Sequence, residues 1–254
     1  MSRGPGYLKS IELLRSGIAN PREYPFSLPA VRTLERLPLH PKVTYLIGEN
    51  GTGKSTLLEA IAVAWGFNPE GGTINFSFST AETHSELHRH LRLARGVHKP
   101  RDGFFFRAES YYNLASEIER LDRPDGARAS GPPIIDSYGG KPLHEQSHGE
   151  SFFAAFLHRF GGRGLYILDE PEAALSPQRQ LSMLSRIHQL VQKHSQFIIA
   201  THSPILMAYP DADIYLLGPD GAERVELEQT PHWSVMKQFV NRKQAMLDEL
   251  LADD

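Results

Sequence analysis

Residues 48–55 have the types and spacing of a phosphate-binding loop. They spell G-E-N-G-T-G-K-S and match the pattern G-x-x-x-x-G-K-[ST]. The glycines let backbone N–H groups curl around an anion, and a helix that begins near Lys54 would point its positive dipole end at the same place. We expect Lys54 to reach the β- and γ-phosphates of a nucleoside triphosphate and the Ser55 hydroxyl to ligate Mg²⁺. The predicted nucleotide contacts are Asn50, Gly51, Thr52, Gly53, Lys54, Ser55 and Thr56.

A second group that could do chemistry follows a buried-strand pattern at residues 165–168. Two acids, Asp169 and Glu170, end this apolar run. Parallel sheets bind their ligands at the carboxyl ends of the strands, so Asp169 is expected to hold Mg²⁺ and Glu170 to polarise the attacking water as a general base.

The elements that must position these residues follow from apolar periodicity. Residues 43–47, 103–107, 165–168 and 197–200 are predicted strands of a parallel sheet, and helices are predicted after Lys54, over 111–121, over 152–160 and over 181–191. Ser176 and Pro177 suit the N-cap and first position of the last of these helices.

The flanking segments are predicted less directly. Residues 7–14 and the region 26–31 have strand patterns, as do Ile74, Phe76 and Phe78, and residues 122–146 have the composition of a surface loop. A hairpin is predicted from 214–217 to 225–227, and one amphipathic helix over 233–251.

Composition restricts the class of protein. The 254 residues are 40% hydrophobic with a formal net charge of −3, which allows a sizeable core and gives no bulk electrostatic case for nucleic acid. The chain has no cysteine, and no apolar run reaches the roughly 18 residues of a membrane span. We expect no membrane insertion and a cytoplasmic location.

The motifs as a set resemble an ABC-type P-loop ATPase. The P-loop, Gln146-Ser147-His148-Gly149-Glu150 before a helix pattern, Asp169-Glu170, and a histidine (His202) after the strand at 197–200 follow the family's order and spacing. Residues 169–177, D-E-P-E-A-A-L-S-P, are similar to the soluble "predicted AAA/ABC ATPase" group. The chain is also distantly similar to SMC-like and RecF-like ATPase heads, although it has no heptad run for coiled-coil arms.

The resemblance implies an α/β fold: a P-loop NTPase with an ABC-type core sheet, an N-terminal antiparallel β part and a small helical lobe. It implies one domain over residues 1–254, with a signature-bearing lobe at approximately 81–160. It also implies that ATP and Mg²⁺ are bound, that Lys54, Glu170 and His202 act in catalysis, and that Ser147 and Gly149 bind the γ-phosphate held by a second copy, giving a homodimer with ATP.

One position departs from the transporter pattern, and the adenine-stacking position has two candidates. The strand at 103–107 is not followed by glutamine, and Glu109 either contacts the metal or water in its place or caps the helix that follows. The resemblance places an adenine-stacking aromatic about 25 residues before the P-loop. Tyr24 and Phe26 are the candidates, and the Tyr24 hydroxyl suits a half-exposed site.

One local charge cluster remains. Residues 84–101 contain nine basic or histidine side chains against Glu86 alone. This basic run is a phosphate-backbone patch for nucleic acid, a solvated face of the small lobe, or a surface that contacts the nucleotide or the partner subunit.

Three functions are compatible with these patterns. The first is Mg-dependent ATP hydrolysis that drives ATP-sandwich dimerisation in a DNA-repair or defence-type process, with an unknown protein partner. The second is the nucleotide-binding subunit of an ABC transporter, which the missing glutamine and the altered signature disfavour. The third is a non-hydrolysing ATP-dependent switch, which the presence of both Glu170 and His202 disfavours.

Overall fold

The computed structural model describes residues 6–74, 85–108, 111–122, 133–140, 148–173 and 175–252. The strands are β1 (Leu8–Leu13), β2 (Arg36–Pro38), β3 (Val43–Ile47), β4 (Leu91–Arg95), β5 (Asp102–Arg107), β6 (Gly164–Asp169), β7 (Gln196–Ala200), β8 (Ala212–Gly218) and β9 (Gly221–Val225). The α-helices are α1 (Pro29–Arg32), α2 (Lys54–Trp65), α3 (Tyr111–Asp122), α4 (His148–His158), α5 (Pro177–Gln192), α6 (Pro204–Met207), α7 (Pro231–Asn241) and α8 (Lys243–Leu250). Short 3₁₀ helices cover Glu86–His90, Ile134–Tyr138 and Leu227–Gln229.

The larger sheet has the strand order β5-β6-β7-β3-β8-β9. Its first five strands pair in parallel, and β9 returns antiparallel to β8 through the predicted hairpin. All four predicted core strands lie here, and the predicted α/β fold class is confirmed. Because β3, β6 and β7 are neighbours, the P-loop, the Asp169-Glu170 pair and the His202 segment leave the sheet at the same edge.

Side chains alternate between the two faces of this sheet, and both faces are covered. On β6, Tyr166 and Leu168 face the layer of α4 and α5, whereas Leu165 and Ile167 face α2 and the N-terminal sheet. The aromatic side chain of Phe160 stacks on Tyr166 at 4.4 Å between ring centroids. Burial on both faces explains why these strands have continuous apolar runs.

The smaller sheet is antiparallel, with the order β2-β1-β4, as the predicted N-terminal β part requires. The buried side chain of Gln196 joins it to the larger sheet: Leu8 donates its N–H to Oε1 at 2.9 Å, and Nε2 donates to the Leu8 carbonyl at 2.7 Å. Part of the basic run therefore lies in this sheet, as β4, and not in the lobe at 81–160 where the sequence suggested it.

Helices α3 and α4, with the 3₁₀ helix Ile134–Tyr138 between them, form a layer on one side of β5. The Asp122 carboxylate accepts hydrogen bonds from the N–H groups of Ile134 and Ile135, both at 2.8 Å. The predicted loop at 122–146 is described only in part, and Phe76 and Phe78 lie outside the described residues.

Two local predictions were wrong. Residues 26–31 do not form a strand: Pro29 occupies the first position of α1, where its fixed φ and missing N–H suit a helix and not a β-ladder. The predicted helix over 233–251 is two helices, because the backbone of Arg242, at φ −133° and ψ 34°, leaves the helical region.

Among the described residues, none of the helices combines the length and the apolar character that crossing a bilayer requires.

Candidate functional site

The P-loop connects the buried strand β3 to α2. Gly48 has φ +147°, and a Cβ at this position would stand 2.4 Å from the carbonyl oxygen of Leu217. Gly53, at φ +97°, is the N-cap of α2. Thr52 closes the loop by donating its hydroxyl to the Glu49 carbonyl at 2.8 Å. The N-terminus of α2 therefore opens directly into the loop, which is the arrangement that binds phosphate.

Lys54 crosses the inside of the loop. Its Nζ donates to the carbonyl oxygens of Gly48, at 2.7 Å, and Glu49, at 3.0 Å. Burial lowers the pKa of the Lys54 ammonium, and the carboxylates of Glu170 and Asp169 oppose that shift. The cation is thus held in the loop beside two acids.

A cavity of about 390 Å³ opens beside the loop. Its lining residues are Leu28, Asn50, Gly51, Gly53, Lys54, Ser55, Thr56 and Glu170. Most of the predicted nucleotide contacts are among them. A Cβ built on Gly51 meets no described atom within 4 Å, so the loop backbone faces open space there.

Ser55 and Asp169 meet at the junction of α2 and β6. The Ser55 hydroxyl donates to Asp169 Oδ1 at 3.0 Å, and the Asp169 side chain is buried. A hydroxyl and a carboxylate oxygen are the hard ligands that Mg²⁺ takes together with substrate phosphates and water. The residues present therefore fit a magnesium ion.

Glu170 turns away from Asp169. Its φ of +48° lies in the left-handed region, and its N–H donates to the Ala200 carbonyl at 2.9 Å. The Glu170 side chain is 41% exposed and lines the P-loop cavity, whereas Asp169 is buried. The two neighbouring acids thus face different surroundings, as separate roles in metal binding and base catalysis require.

His202 follows β7 and faces the same edge. Its Nε2 lies 3.7 Å from Glu170 Oε1, and its backbone N–H donates to Glu172 Oε1 at 2.6 Å. The Nε2 atom is shielded from solvent and has no hydrogen-bond partner among the described residues. Burial raises the pKa of the Glu172 carboxyl. A buried ring nitrogen without a partner at this edge is available to an incoming ligand.

The remaining predicted site residues either lie outside the described residues or do not line the P-loop cavity. Ser147 and Glu109 lie outside the described residues. Gly149 is in the first turn of α4, next to the exposed Glu150, whose carboxylate lies 3.4 Å from Arg179 on α5. Tyr24 is 63% exposed and is not among the residues that line the P-loop cavity. Phe26 is buried edge-on against His90, so it is a core residue and not an adenine platform.

Sequence reasoning missed two residues beside this site. Arg107, at the end of β5, lies opposite Asp169 in the parallel register. Its side-chain Nε lies 4.0 Å from Asp169 Oδ2, and its Nη1 lies 2.5 Å from Glu59 Oε2. His232, in the first turn of α7, has its Nε2 3.0 Å from His202 Nδ1. The position of Arg107 at a strand end was a usable signal, whereas nothing in the sequence points to His232.

Two family models match this chain. Residues 73–208 match the model of a family described as "AAA domain, putative AbiEii toxin, Type IV TA system", and residues 26–109 match a model described as "AAA domain".

Similar curated proteins carry names of transporter ATPases. An "Uncharacterized ABC transporter ATP-binding protein" of Haemophilus influenzae is 26% identical over 69% of this chain and 70% of its own length. The "Energy-coupling factor transporter ATP-binding protein EcfA2" of Methanospirillum hungatei is 24% identical over 82% of this chain, which covers only 53% of that protein.

Among solved structures, an ATP-binding cassette of an ABC transporter in its ADP conformation aligns with 97% of this chain and 99% of its own, at 15% identity and a TM-score of 0.48. The first family match spans just over half of the 254 residues. The chain therefore belongs to this AAA-domain family of P-loop ATPases, and it is an ATPase that binds ATP.

Proposed function

We propose that ATP hydrolysis takes place where Lys54, the Ser55–Asp169 pair, Glu170 and His202 converge, and that it depends on Mg²⁺. The observation that carries this proposal is the Ser55–Asp169 hydrogen bond of 3.0 Å beside the buried Lys54 ammonium, with Glu170 and His202 only 3.7 Å apart at the same sheet edge. These residues come from three separate strand ends, and no purely structural role requires them together.

Each side chain has a definite task in the proposed reaction. Lys54 neutralises charge on the β- and γ-phosphates, and Ser55 and Asp169 hold Mg²⁺. When bound, Mg²⁺ supplies charge neutralisation at the phosphate oxygens. Glu170 accepts a proton from the water whose oxygen attacks the γ-phosphorus, while the bond from that phosphorus to the β–γ bridging oxygen breaks. His202 donates a hydrogen bond to the departing phosphoryl group.

The proposed base can be tested by Glu170→Gln, which keeps the shape of the side chain and removes its proton affinity. Turnover number is expected to fall by roughly 10²-fold or more, with ATP affinity nearly unchanged, because a general base acts mainly in the transition state. Glu249→Gln on α8 is the matched control, because this residue is exposed and does not line the P-loop cavity. Equal turnover by Glu170→Gln and the control would reject Glu170 as the base.

We propose further that ATP binding joins two copies of the chain. The support comes from the start of α4: Gly149 lies in its first turn, and the salt bridge from Glu150 to Arg179 lies at the surface. By resemblance, Ser147 and Gly149 bind a γ-phosphate that is held on the P-loop of another copy. A symmetric pair would complete both sites at once.

Light scattering tests this association with Glu170→Gln, which retains ATP. We expect a dimer mass with Mg-ATP, a monomer mass without it, and loss of the dimer when Ser147→Arg is added. Ser16→Arg, in an exposed turn beside β1, is the matched control for added charge and bulk. A molecular mass that is the same with and without Mg-ATP in every variant would refute ATP-driven dimerisation.

A defence-type or repair process is our preferred role for this ATPase cycle. The description of the matched family, which names a toxin system, supports it. The transporter role is the second candidate, because the similar curated proteins are named as transporter ATP-binding proteins. Affinity purification of the intact chain from its own cells separates the two, since an integral membrane protein in stoichiometric amount would favour the transporter role. The third alternative, a non-hydrolysing switch, is set aside because the chain belongs to a family of ATPases.

Direct binding of nucleic acid by the basic run has no part in the proposed function. In the basic run, Arg92 pairs with Glu12 at 2.6 Å, and the Arg95 guanidinium lies 4.5 Å from the centre of the Trp65 ring. Both cations are thus already engaged by neighbours on the N-terminal sheet and α2, which is the arrangement of a solvated face.

A further inference from the structure

We infer that His232 is a positioning residue for ATP hydrolysis: it keeps the proton of His202 on Nε2, the nitrogen that faces Glu170. The inference rests on the proposed role of His202. The two imidazoles meet directly, with 3.0 Å between His202 Nδ1 and His232 Nε2, and with ring centroids 5.2 Å apart at an angle of 56°. No other described side chain is hydrogen-bonded to the His202 ring.

The first turn of α7 holds the His232 ring in place. Thr230 is fully buried and is the N-cap: its hydroxyl accepts from the N–H of Trp233 at 3.2 Å and donates to the Leu227 carbonyl at 2.7 Å. Pro231 occupies the first helical position. Just upstream, a capping box between Glu226 and Gln229 orders the chain that leads into this turn. His232 is therefore carried by a fixed backbone, although α7 is exposed from Val235 onward.

The proton positions follow from the partners of each nitrogen. Burial, and then the neighbouring His202, lower the pKa of His232, so its imidazole is neutral and carries one proton near pH 7. His232 Nδ1 is shielded from solvent and has no hydrogen-bond partner among the described residues, whereas Nε2 has the His202 ring within reach. A single proton is better placed on the nitrogen that has an acceptor. His232 Nε2–H therefore donates to His202 Nδ1.

This hydrogen bond determines the tautomer of His202. Because Nδ1 accepts, the proton of a neutral His202 resides on Nε2. That N–H points toward Glu170 Oε1 at 3.7 Å, and among the described residues it has no hydrogen-bond partner of its own. The reverse arrangement would set a lone pair of His202 against the Glu170 carboxylate, two acceptors facing each other. The observed geometry therefore leaves a buried donor available to a phosphate oxygen.

Without His232, the His202 ring would be free to rotate and to carry its proton on Nδ1. The donor would then be missing from the site in part of the population, which slows the chemical step without removing the P-loop contacts that bind ATP. The expected signature is a lower turnover number with little change in KM.

Four variants of the full chain test this inference: His232→Phe, His232→Gln, His202→Ala and the double variant His202→Ala/His232→Phe. Phe keeps the ring without its nitrogens, and Gln places an amide N–H near the position of Nε2. We expect His232→Phe to lower kcat about tenfold or more with KM changed less than about threefold, and His232→Gln to recover most of the loss. Adding His232→Phe to His202→Ala should not lower kcat further, because His232 acts only through His202.

The outcomes separate this inference from the proposed function. If His202→Ala is impaired but His232→Phe turns over like the parent, only the role of His232 is overturned. The role of His232 is also overturned if His232→Phe lowers kcat by the same factor in the parent and in His202→Ala, since His232 would then act independently of His202. If His202→Ala itself keeps full turnover, the role proposed for His202 fails as well, while Glu170→Gln still tests the base independently.

A direct readout of the tautomer does not depend on activity. Long-range ¹H–¹⁵N spectra of the parent protein at neutral pH, assigned by loss of signals in His202→Gln, report which ring nitrogen carries the proton. We expect the Nε2–H tautomer for both histidines. A His202 ring protonated on Nδ1 would refute the inference.

Discussion

The close approach of Gly48 to β8 makes a strong prediction about Gly48→Ala. The backbone there has φ +147°, a region that costs an L-residue about 1–3 kcal/mol. The new Cβ would also stand 2.4 Å from the carbonyl oxygen of Leu217, which is held in β8 between β3 and β9. Relief requires a backbone shift, and overpacking of this kind costs about 1–3 kcal/mol more. The expected total is about 2–6 kcal/mol.

Gly66→Ala is the matched control, because Gly66 ends α2 with φ +118° and its Cβ would meet no described atom within 4 Å. It carries the same kind of backbone strain and the same gain from restricting the unfolded chain, without the contact. The difference between the two variants should therefore equal the contact term, about 1–3 kcal/mol. For a chain of this size, that corresponds to a melting temperature roughly 2–12 °C lower for Gly48→Ala than for Gly66→Ala.

Gly48→Ala should also weaken ATP binding, since its carbonyl receives the Lys54 ammonium at 2.7 Å. If the shifted backbone displaces the Lys54 ammonium so that one charge-assisted hydrogen bond to a phosphate is lost, binding weakens by about 1.5–3 kcal/mol, or roughly tenfold or more in Kd. Thermal unfolding and ATP titration of both variants measure the two effects. Equal melting temperatures for Gly48→Ala and Gly66→Ala would refute the close approach to Leu217 on which the estimate depends.

Two further predictions concern charge. Replacing Arg89, Arg92 and Arg95 together with Ala should leave any DNA affinity and its salt slope unchanged, whereas a slope reduced by about two to three units would show that they contact phosphates; fluorescence anisotropy with duplex DNA between 50 and 200 mM salt measures this. For Glu172, burial raises the folded-state pKa, so the stability that this carboxyl contributes is present below its unfolded pKa and is lost as the pH rises through the folded value. Glu172→Gln can still accept from the N–H of His202. Its melting temperature should therefore rise relative to the parent as the pH increases above the ordinary glutamate pKa of about 4.3, and this advantage should be absent below that pH. An advantage that does not vary with pH would contradict the assignment.

The chemistry predicted from contiguous residues depended least on the tertiary structure. The P-loop, the buried strand before it and the helix after it form one continuous segment, and local φ preferences and apolar periodicity are enough to define them. The same holds for the Ser176 cap of α5, whose side chain accepts from the N–H of Arg179. The α/β class and ATPase activity were predicted correctly on this basis, while the individual site roles stay predictions.

Local patterns failed where neighbouring segments decided the conformation. Residues 26–31 have apolar and aromatic side chains suited to a strand, yet Pro29 begins a helix whose Ala30 N–H donates to the Thr52 carbonyl at 2.8 Å. The segment is thus shaped by the P-loop that it packs against. The basic run was likewise assigned to a lobe, because nothing local shows that Leu91–Arg95 pairs with β1.

The sequence by itself determined which groups could bind and cleave a phosphate, because each motif carries its chemistry within a few residues. Only the tertiary structure decided which other groups act on them. Arg107 reaches Asp169 through the parallel register of β5 and β6, and His232 reaches His202 because α7 returns to the sheet edge. Such contacts join residues far apart in the chain, and their physical basis is the packing of the whole fold, which no short pattern of residue types encodes.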